Sequence, residues 1–67
     1  MRILLNGRDT VLEAEGMTVA DLLSSGPWRG KRILVEVNGE VVGKSDYAHT
    51  RLAEGDRVEL VHFVGGG

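Results

Sequence analysis

The chain runs to Gly65, Gly66 and Gly67, and we expect the carboxylate of Gly67 to be its most accessible reactive group. Glycine loses more conformational freedom on ordering than any other residue, so three glycines are a poor way to complete a stable fold. One interpretation is a frayed terminus, which most domains tolerate. The other is a functional tail that lies extended in a passage too narrow for a β-carbon.

Other residues with chemical potential are few. Cysteine is absent, which excludes disulfides, thiolate catalysis and cysteine metal sites within this sequence. His49 falls in a loop and His62 on the last predicted strand, and neither has a serine, an aspartate or a second ligand spaced for chemistry. We therefore expect both histidines to be structural or surface residues, with no metal site and no enzyme activity in this chain.

Length and charge limit the partners. Sixty-seven residues make one small domain, predicted as residues 1–64 followed by a flexible tail of residues 65–67. Eight basic and ten acidic residues give a net charge of −2, which provides no overall attraction to nucleic acid or to an anionic membrane. The apolar run at the N-terminus is too short for a signal peptide or a membrane span, so a cytoplasmic location is expected.

Two hairpins are predicted from asparagine-glycine pairs. Asn6-Gly7 separates a strand at residues 2–5 from one at residues 8–14, and Asn38-Gly39 separates residues 33–37 from residues 40–42. Both central residues of such a turn need positive backbone φ angles, which asparagine and glycine tolerate best. Side chains alternate between faces along a strand, so Leu4 is predicted to point away from the core.

A short helix is predicted between the hairpins. Thr18 is a helix-capping residue and Asp21 stands at the third helical position, as in a capping box. Val19, Leu22 and Leu23 share one face at helical spacing, and Gly26-Pro27 then ends the helix. A helix this short is not stable alone, so it must pack on the sheet.

The segment from Trp28 to Arg32 is the one basic stretch, and it contains the only tryptophan. One interpretation is contact with phosphates or with an acidic partner; the other is a solvated loop whose tryptophan covers an open end of the core. Further along, Tyr47 and Leu52 are predicted to anchor a loop at the end of the sheet.

The last strand is predicted over residues 57–64, and its alternation defines two faces. Val58 and Leu60 are assigned to the helix side, because that choice leaves the charged residues between them in water. Val61 and Phe63 then point to the outer face of the sheet.

An outer patch of Leu4, Val61 and Phe63 would supply binding energy that the tail lacks. Ordering three glycines costs about 1 to 2 kcal/mol each, whereas each large apolar side chain contributes about 1.5 to 3 kcal/mol when a partner buries it. The alternative is that these are ordinary scattered surface hydrophobes.

Several segments carry a resemblance to a known family. The order of elements resembles the ubiquitin-like β-grasp fold, and three segments look like the ThiS family of bacterial sulfur carriers in thiamine thiazole synthesis: residues 35–42, 55–59 and 61–67. The resemblance implies an α+β fold in which a mixed five-stranded sheet packs on one short helix. It also implies that the last strand runs parallel to the first at the centre of the sheet.

The same resemblance implies a function. A ThiF-like enzyme would adenylate Gly67 with ATP, and sulfur from a persulfide donor would convert the adenylate to a thiocarboxylate for thiazole synthase. Gly65 and Gly66 would occupy the partner's channel, and Leu4, Val61 and Phe63 would dock the domain. ATP and metal would belong to the activating partner, so this chain would bind no cofactor.

Other functions stay open at this stage. Sibling proteins with a similar tail are the small subunit of molybdopterin synthase and ubiquitin-like modifiers. The chain's compactness, its Phe63-Val64 approach to the glycines and the presence of only two lysines, Lys31 and Lys44, favour the thiazole carrier. A different class is a regulatory β-grasp binding module with an incidental tail, which would keep its activity without Gly67.

Overall fold

The computed structural model describes residues 1–24 and 26–63. The predictions for Val64 and for Gly65 to Gly67 lie outside the described residues. These described residues form five strands and one α-helix, with short 3-10 turns at Gly26–Trp28 and Lys44–Asp46. The strands and the helix are β1 (Arg2–Leu5), β2 (Arg8–Val11), α1 (Val19–Leu23), β3 (Ile33–Val37), β4 (Glu40–Val42) and β5 (Arg57–His62).

The sheet is mixed and its strand order is β2-β1-β5-β3-β4. β5 pairs parallel with β1 and antiparallel with β3, so the last strand lies at the centre of the sheet. This arrangement confirms the α+β fold with a five-stranded mixed sheet on one short helix. The bounds predicted for β1, β3 and β4 are also confirmed.

The second strand is shorter than predicted, because β2 ends at Val11 rather than at residue 14. Its neighbour β1 begins at Arg2, which pairs with Val11. Met1 and Leu12 still exchange backbone hydrogen bonds of 2.7 and 3.0 Å. Beyond Leu12 the chain has no strand beside it, so the extended conformation is not stabilised further.

Both asparagine-glycine turns form as predicted, with left-handed backbone angles. The φ values are 50° at Asn6 and 80° at Gly7, and 52° at Asn38 and 86° at Gly39. Two successive positive φ angles match the twist of the flanking strands, which is why these residues are favoured there.

The side chains of the same two asparagines bind the central strand. The Asn6 Oδ1 accepts a hydrogen bond from the Leu60 N–H at 2.7 Å, and its Nδ2 donates to the Leu60 carbonyl at 3.2 Å. The Asn38 Oδ1 accepts from the Arg57 N–H at 2.9 Å, and its backbone N–H donates to the Arg57 carbonyl at 2.7 Å. The two turns therefore hold β5 at Arg57 and at Leu60.

The helix is fixed by the predicted capping box. Thr18 Oγ1 accepts from the Asp21 N–H at 3.1 Å, and the Thr18 N–H donates to Asp21 Oδ2 at 2.9 Å. Trp28 is half-buried against the core, as the covering-loop interpretation predicts, and Tyr47 packs there too. The buried core consists of Ile3, Leu12, Val19, Leu22, Val35, Leu52, Val58 and Leu60.

Replacing Asn6 by glycine tests the contribution of its amide, since glycine keeps the turn's backbone angles but removes both hydrogen bonds to Leu60. We expect the free energy of unfolding in urea to fall by about 1 to 2 kcal/mol. We also expect the Leu60 amide proton to exchange faster with solvent in native buffer.

Asn38→Gly is the matched control, because it makes the same chemical change at an equivalent turn while the Asn6 amide stays in place. Asn38→Gly should lower the free energy of global unfolding. The Leu60 amide should then exchange only through global unfolding, and not through an additional local opening. Equal Leu60 exchange in the two variants, at equal stability, would contradict the role assigned to the Asn6 side chain.

Candidate functional site

The central strand leads directly to the glycine tail and is held in place up to its end. His62 is the last residue of β5 and lies opposite Ile33 of β3. One residue further, the Phe63 N–H donates to the Arg32 carbonyl at 3.0 Å. Phe63, the last described residue before the tail, is therefore hydrogen-bonded to the segment before β3. The roles predicted for Gly65, Gly66 and Gly67 stay predictions.

The predicted faces of β5 are confirmed along the strand. Val58 and Leu60 are 0% and 5% exposed and face the helix, whereas Val61 is 49% exposed. Burial of alternate residues is what period-two geometry requires when one face of a sheet covers the core. Val61 is therefore available on the outer face.

Leu4 is on the same face but is not part of one patch with Val61. It is half-buried and lies beside Arg57 on the neighbouring strand. Four residues along β5 separate Arg57 from Val61, a distance of about 13 Å along the strand. The side chains of Arg57 and Glu59 lie on the outer face between them, so the two apolar residues form separate contacts.

Leu34 is the outer-face neighbour of Val61 that the sequence did not reveal. It lies directly opposite Val61 in the antiparallel pairing of β3 with β5, and it is half-buried. Residues directly opposite on one face contact each other across the strands. Strict alternation around Val35 hinted that Leu34 faces outward, but its pairing with Val61 depends on the register of two distant strands.

Phe63 differs from its predicted placement. It is 50% exposed and lies beyond the end of β5, where it lines a pocket with Leu23, Ile33 and Tyr47. These three residues pack against the core on the helix side of the sheet. The predicted alternation includes residue 63, but β5 stops at His62, so Phe63 does not continue the outer row of Val61.

Two carboxylates lie next to the outer apolar pair. Glu36 and Glu59 are opposite each other on β3 and β5, and Glu36 also lies opposite Val41 on β4. Like charges placed directly opposite repel each other. The outer face beside Leu34 and Val61 therefore carries two carboxylates, with the Arg57 guanidinium two residues further along β5.

Among residues 1–24 and 26–63, no group of three or more His, Cys, Asp or Glu side chains is arranged to hold a metal ion. His49 and His62 are both exposed, which agrees with their assignment as surface residues. Across the same part of the chain, no helix has the length and apolar character needed to span a bilayer.

A mixed five-stranded sheet with a central parallel pair of terminal strands, packed on one capped helix, defines a ubiquitin-like β-grasp domain. Residues 2–67 match the ThiS family, so the chain belongs to that family, whose members include sulfur carriers of thiamine biosynthesis.

Individual relatives agree with this assignment. The chain is 43% identical over 63 residues to the sulfur carrier protein ThiS of Bacillus subtilis, covering 94% of this chain and 96% of the relative. A crystal structure of a thiamine biosynthesis protein, ThiS from Geobacter metallireducens, superposes with a TM-score of 0.84 at 35% identity and covers both chains completely. The whole chain also aligns at 39% identity with 20% of the thiazole synthase of Paramagnetospirillum magneticum.

Aspartate substitutions on β5 test the assignment of its two faces. Val61→Asp should lower the free energy of unfolding by about 1 kcal/mol or less, because the side chain is half exposed. Val58→Asp should cost more than about 4 kcal/mol, because it places a charge in the core. Urea unfolding followed by circular dichroism measures both, and similar losses in the two variants would contradict the assignment.

Proposed function

We propose that this chain carries sulfur as a thiocarboxylate on Gly67 and delivers it for thiazole formation in thiamine synthesis, within the cytoplasm. The single observation that supports this most strongly is the family match over residues 2–67, which includes both the described domain and the glycine tail. The chain acts as a carrier and co-substrate, and its partners supply the catalytic groups.

The proposed chemistry has three steps. The Gly67 carboxylate attacks the α-phosphorus of ATP on a ThiF-like enzyme, pyrophosphate leaves, and an acyl adenylate forms. The terminal sulfur of a persulfide donor then attacks the acyl carbon and AMP leaves. A thiol cleaves the resulting sulfur-sulfur bond, forming a disulfide with the donor's sulfur and leaving a thiocarboxylate on Gly67.

Thiazole synthase is the proposed recipient of the sulfur. A segment of the thiazole synthase of Paramagnetospirillum magneticum is similar to this entire chain but makes up one fifth of that protein. A carrier covalently joined to its recipient works at a high effective concentration. Fusion of a similar segment to a thiazole synthase therefore supports the same pairing for the separate chain.

Binding strength must come from the folded domain, because the glycines have no side chains to contribute. Leu34 and Val61 lie opposite each other on the outer face, one residue before the end of β5 at His62. We place the main docking contact there, with Phe63 at the tail's root and Leu4 about 13 Å along the strand. Gly65 and Gly66 have no β-carbon, so their backbone fits a narrow channel in the partner.

The product on Gly67 is tested by the intact mass of the chain after incubation with ATP, a ThiF-like enzyme and a persulfide donor. We expect the mass change for exchange of one oxygen for sulfur, and fragmentation should assign it to Gly67. Omitting ATP should abolish the change, because a free carboxylate is a poor electrophile.

Deletion of Gly67 is the control for this experiment. The shortened chain should keep the circular dichroism spectrum and urea stability of the full chain but form no thiocarboxylate. A β-grasp binding module with an incidental tail would behave in the opposite way and keep its activity. Sulfur incorporation at any residue other than Gly67 would also refute the proposed chemistry.

Docking through the outer apolar pair is tested by Leu34→Asp and Val61→Asp. Val61 is 49% exposed and Leu34 is already half-buried, so burying the rest of either side chain contributes about 0.7 to 1.5 kcal/mol, and each variant should raise the KM for the chain in adenylation by roughly three- to tenfold. The assay is pyrophosphate exchange into ATP as a function of the concentration of the chain.

Val11→Asp is the matched control, because Val11 is 63% exposed and lies beside Arg2 at a distant corner of the sheet. Its KM should stay within about twofold of the wild-type value. An equal increase in KM for all three variants would indicate a general charge effect and would argue against docking at Leu34 and Val61.

A further inference from the structure

A pocket opens on the helix side of the sheet at the root of the tail. It encloses about 330 Å³. Its apolar floor and its basic rim come from separate parts of the chain: the end of α1, the segment before β3, the second 3-10 turn and the residue after β5. The lining residues are Leu23, Lys31, Arg32, Ile33, Lys44, Tyr47 and Phe63.

Hydrogen bonds fix the backbone and one ring of this pocket. The Tyr47 hydroxyl donates to the Ile33 carbonyl at 3.0 Å, which holds the phenol against the first residue of β3. The Phe63 N–H donates to the Arg32 carbonyl at 3.0 Å, which joins the tail's root to the rim. The pocket is therefore part of the ordered fold.

The rim concentrates positive charge in a chain that is negative overall. Three of the eight basic residues line this pocket, while the net charge of the chain is −2. None of the described residues that line it is acidic. Lys44 is distant in sequence from Lys31 and Arg32, so the fold creates a cluster that is larger than the basic segment in the sequence.

We propose that this basic pocket binds an acidic segment of the activating enzyme, with carboxylates at the rim and one apolar side chain on the floor. The inference rests on the proposed function, because it assumes an enzyme that receives the tail. The proposal gives a role to Lys31 and Arg32 of the basic segment Trp28 to Arg32, which take no part in the chemistry at Gly67.

The short tail brings the surface around Phe63 close to the activating enzyme. Gly67 is the fourth residue after Phe63, and four extended residues reach at most about 14 Å. The surface around Phe63 must therefore face the mouth of the cleft that takes up Gly67. Nucleotide bound at Gly67 would lie at the far end of the extended tail, so a protein segment at the cleft mouth fits the pocket better than ATP.

Charge at such a rim mainly raises the rate and specificity of association. Complementary charges steer the partners together, and salt screens them over about 8 to 10 Å at ordinary ionic strength. A partner with acidic residues at its cleft mouth would also reject carriers that lack the basic rim. The contribution of Lys31 and Lys44 should consequently depend on salt.

The test compares Lys31→Gln/Lys44→Gln with Arg2→Gln/Arg51→Gln. Each double variant removes two positive charges, but the two arginines lie away from Phe63. Arg2 is the first residue of β1, and Arg51 pairs with Thr18 in an isolated β-bridge at the start of the helix. The Kd for the ThiF-like enzyme is measured by calorimetry. The lysine variant should bind about three- to tenfold more weakly at low salt, with a smaller difference at high salt, and the arginine variant should bind like the wild type.

Equal affinities of the two double variants would overturn the inference, and so would no binding of the wild-type chain to the enzyme. Saturable binding of AMP to the chain alone that requires Lys31 and Lys44 would assign the pocket to a nucleotide instead. Lysine-dependent self-association in sedimentation would assign it to a second copy.

Binding is also measured with the Gly67-deleted chain, so that docking is separated from chemistry. In the full chain, rim-dependent binding without thiocarboxylate formation would refute the proposed carrier chemistry and leave the pocket's role intact. Thiocarboxylate formation by the full chain, with binding that does not depend on Lys31 and Lys44, would refute the pocket's role and leave the carrier chemistry intact. Unchanged circular dichroism spectra of all variants exclude unfolding as the cause.

Discussion

Hydrogen bonds between the Asn6 side chain and the Leu60 backbone are the constraint on which the end of the central strand depends. β1 pairs with β5 through Leu4 and Leu5 and then turns back at Asn6. The Asn6 amide takes the place of the missing strand at Leu60. Beyond that point β3 is the only strand of residues 1–24 and 26–63 that flanks β5, so the turn that ends β1 also leaves the outer face open around Val61.

Exposed apolar side chains near the end of β5 can supply binding energy that the glycine tail, which has no side chains, cannot. Ordering three glycines costs about 3 to 6 kcal/mol, whereas burying what remains exposed of Leu34 and Val61 contributes about 1.5 to 3 kcal/mol, since both side chains are already about half-buried. The apolar pair therefore offsets about half of the cost of ordering the tail. Additional contacts are needed for net affinity, and the basic pocket lies on the other side of the same strand.

The sequence was most informative where the signal was local. The two asparagine-glycine turns, the Thr18 capping box and the alternation of Val58 with Leu60 each depend on residues close together in the chain. The grouping of Leu4 with Val61 was wrong because it required the register of a parallel pair about fifty residues apart. Leu34 was missed for the same reason, and Phe63 was misplaced because alternation carries no signal for the residue at which a strand stops.

Discrimination among partners has to reside upstream of the tail, because a run of glycines presents the same backbone to every cleft. Around the end of β5, the outer face carries Glu36 and Glu59, whereas the helix side carries the basic pocket. Charges of opposite sign on the two sides of one strand favour a single orientation of a complementary partner. A partner with acidic groups facing Glu36 and Glu59 and basic groups facing the pocket would be repelled on both sides. Specificity therefore follows from repulsion of wrong partners as well as from attraction of the right one.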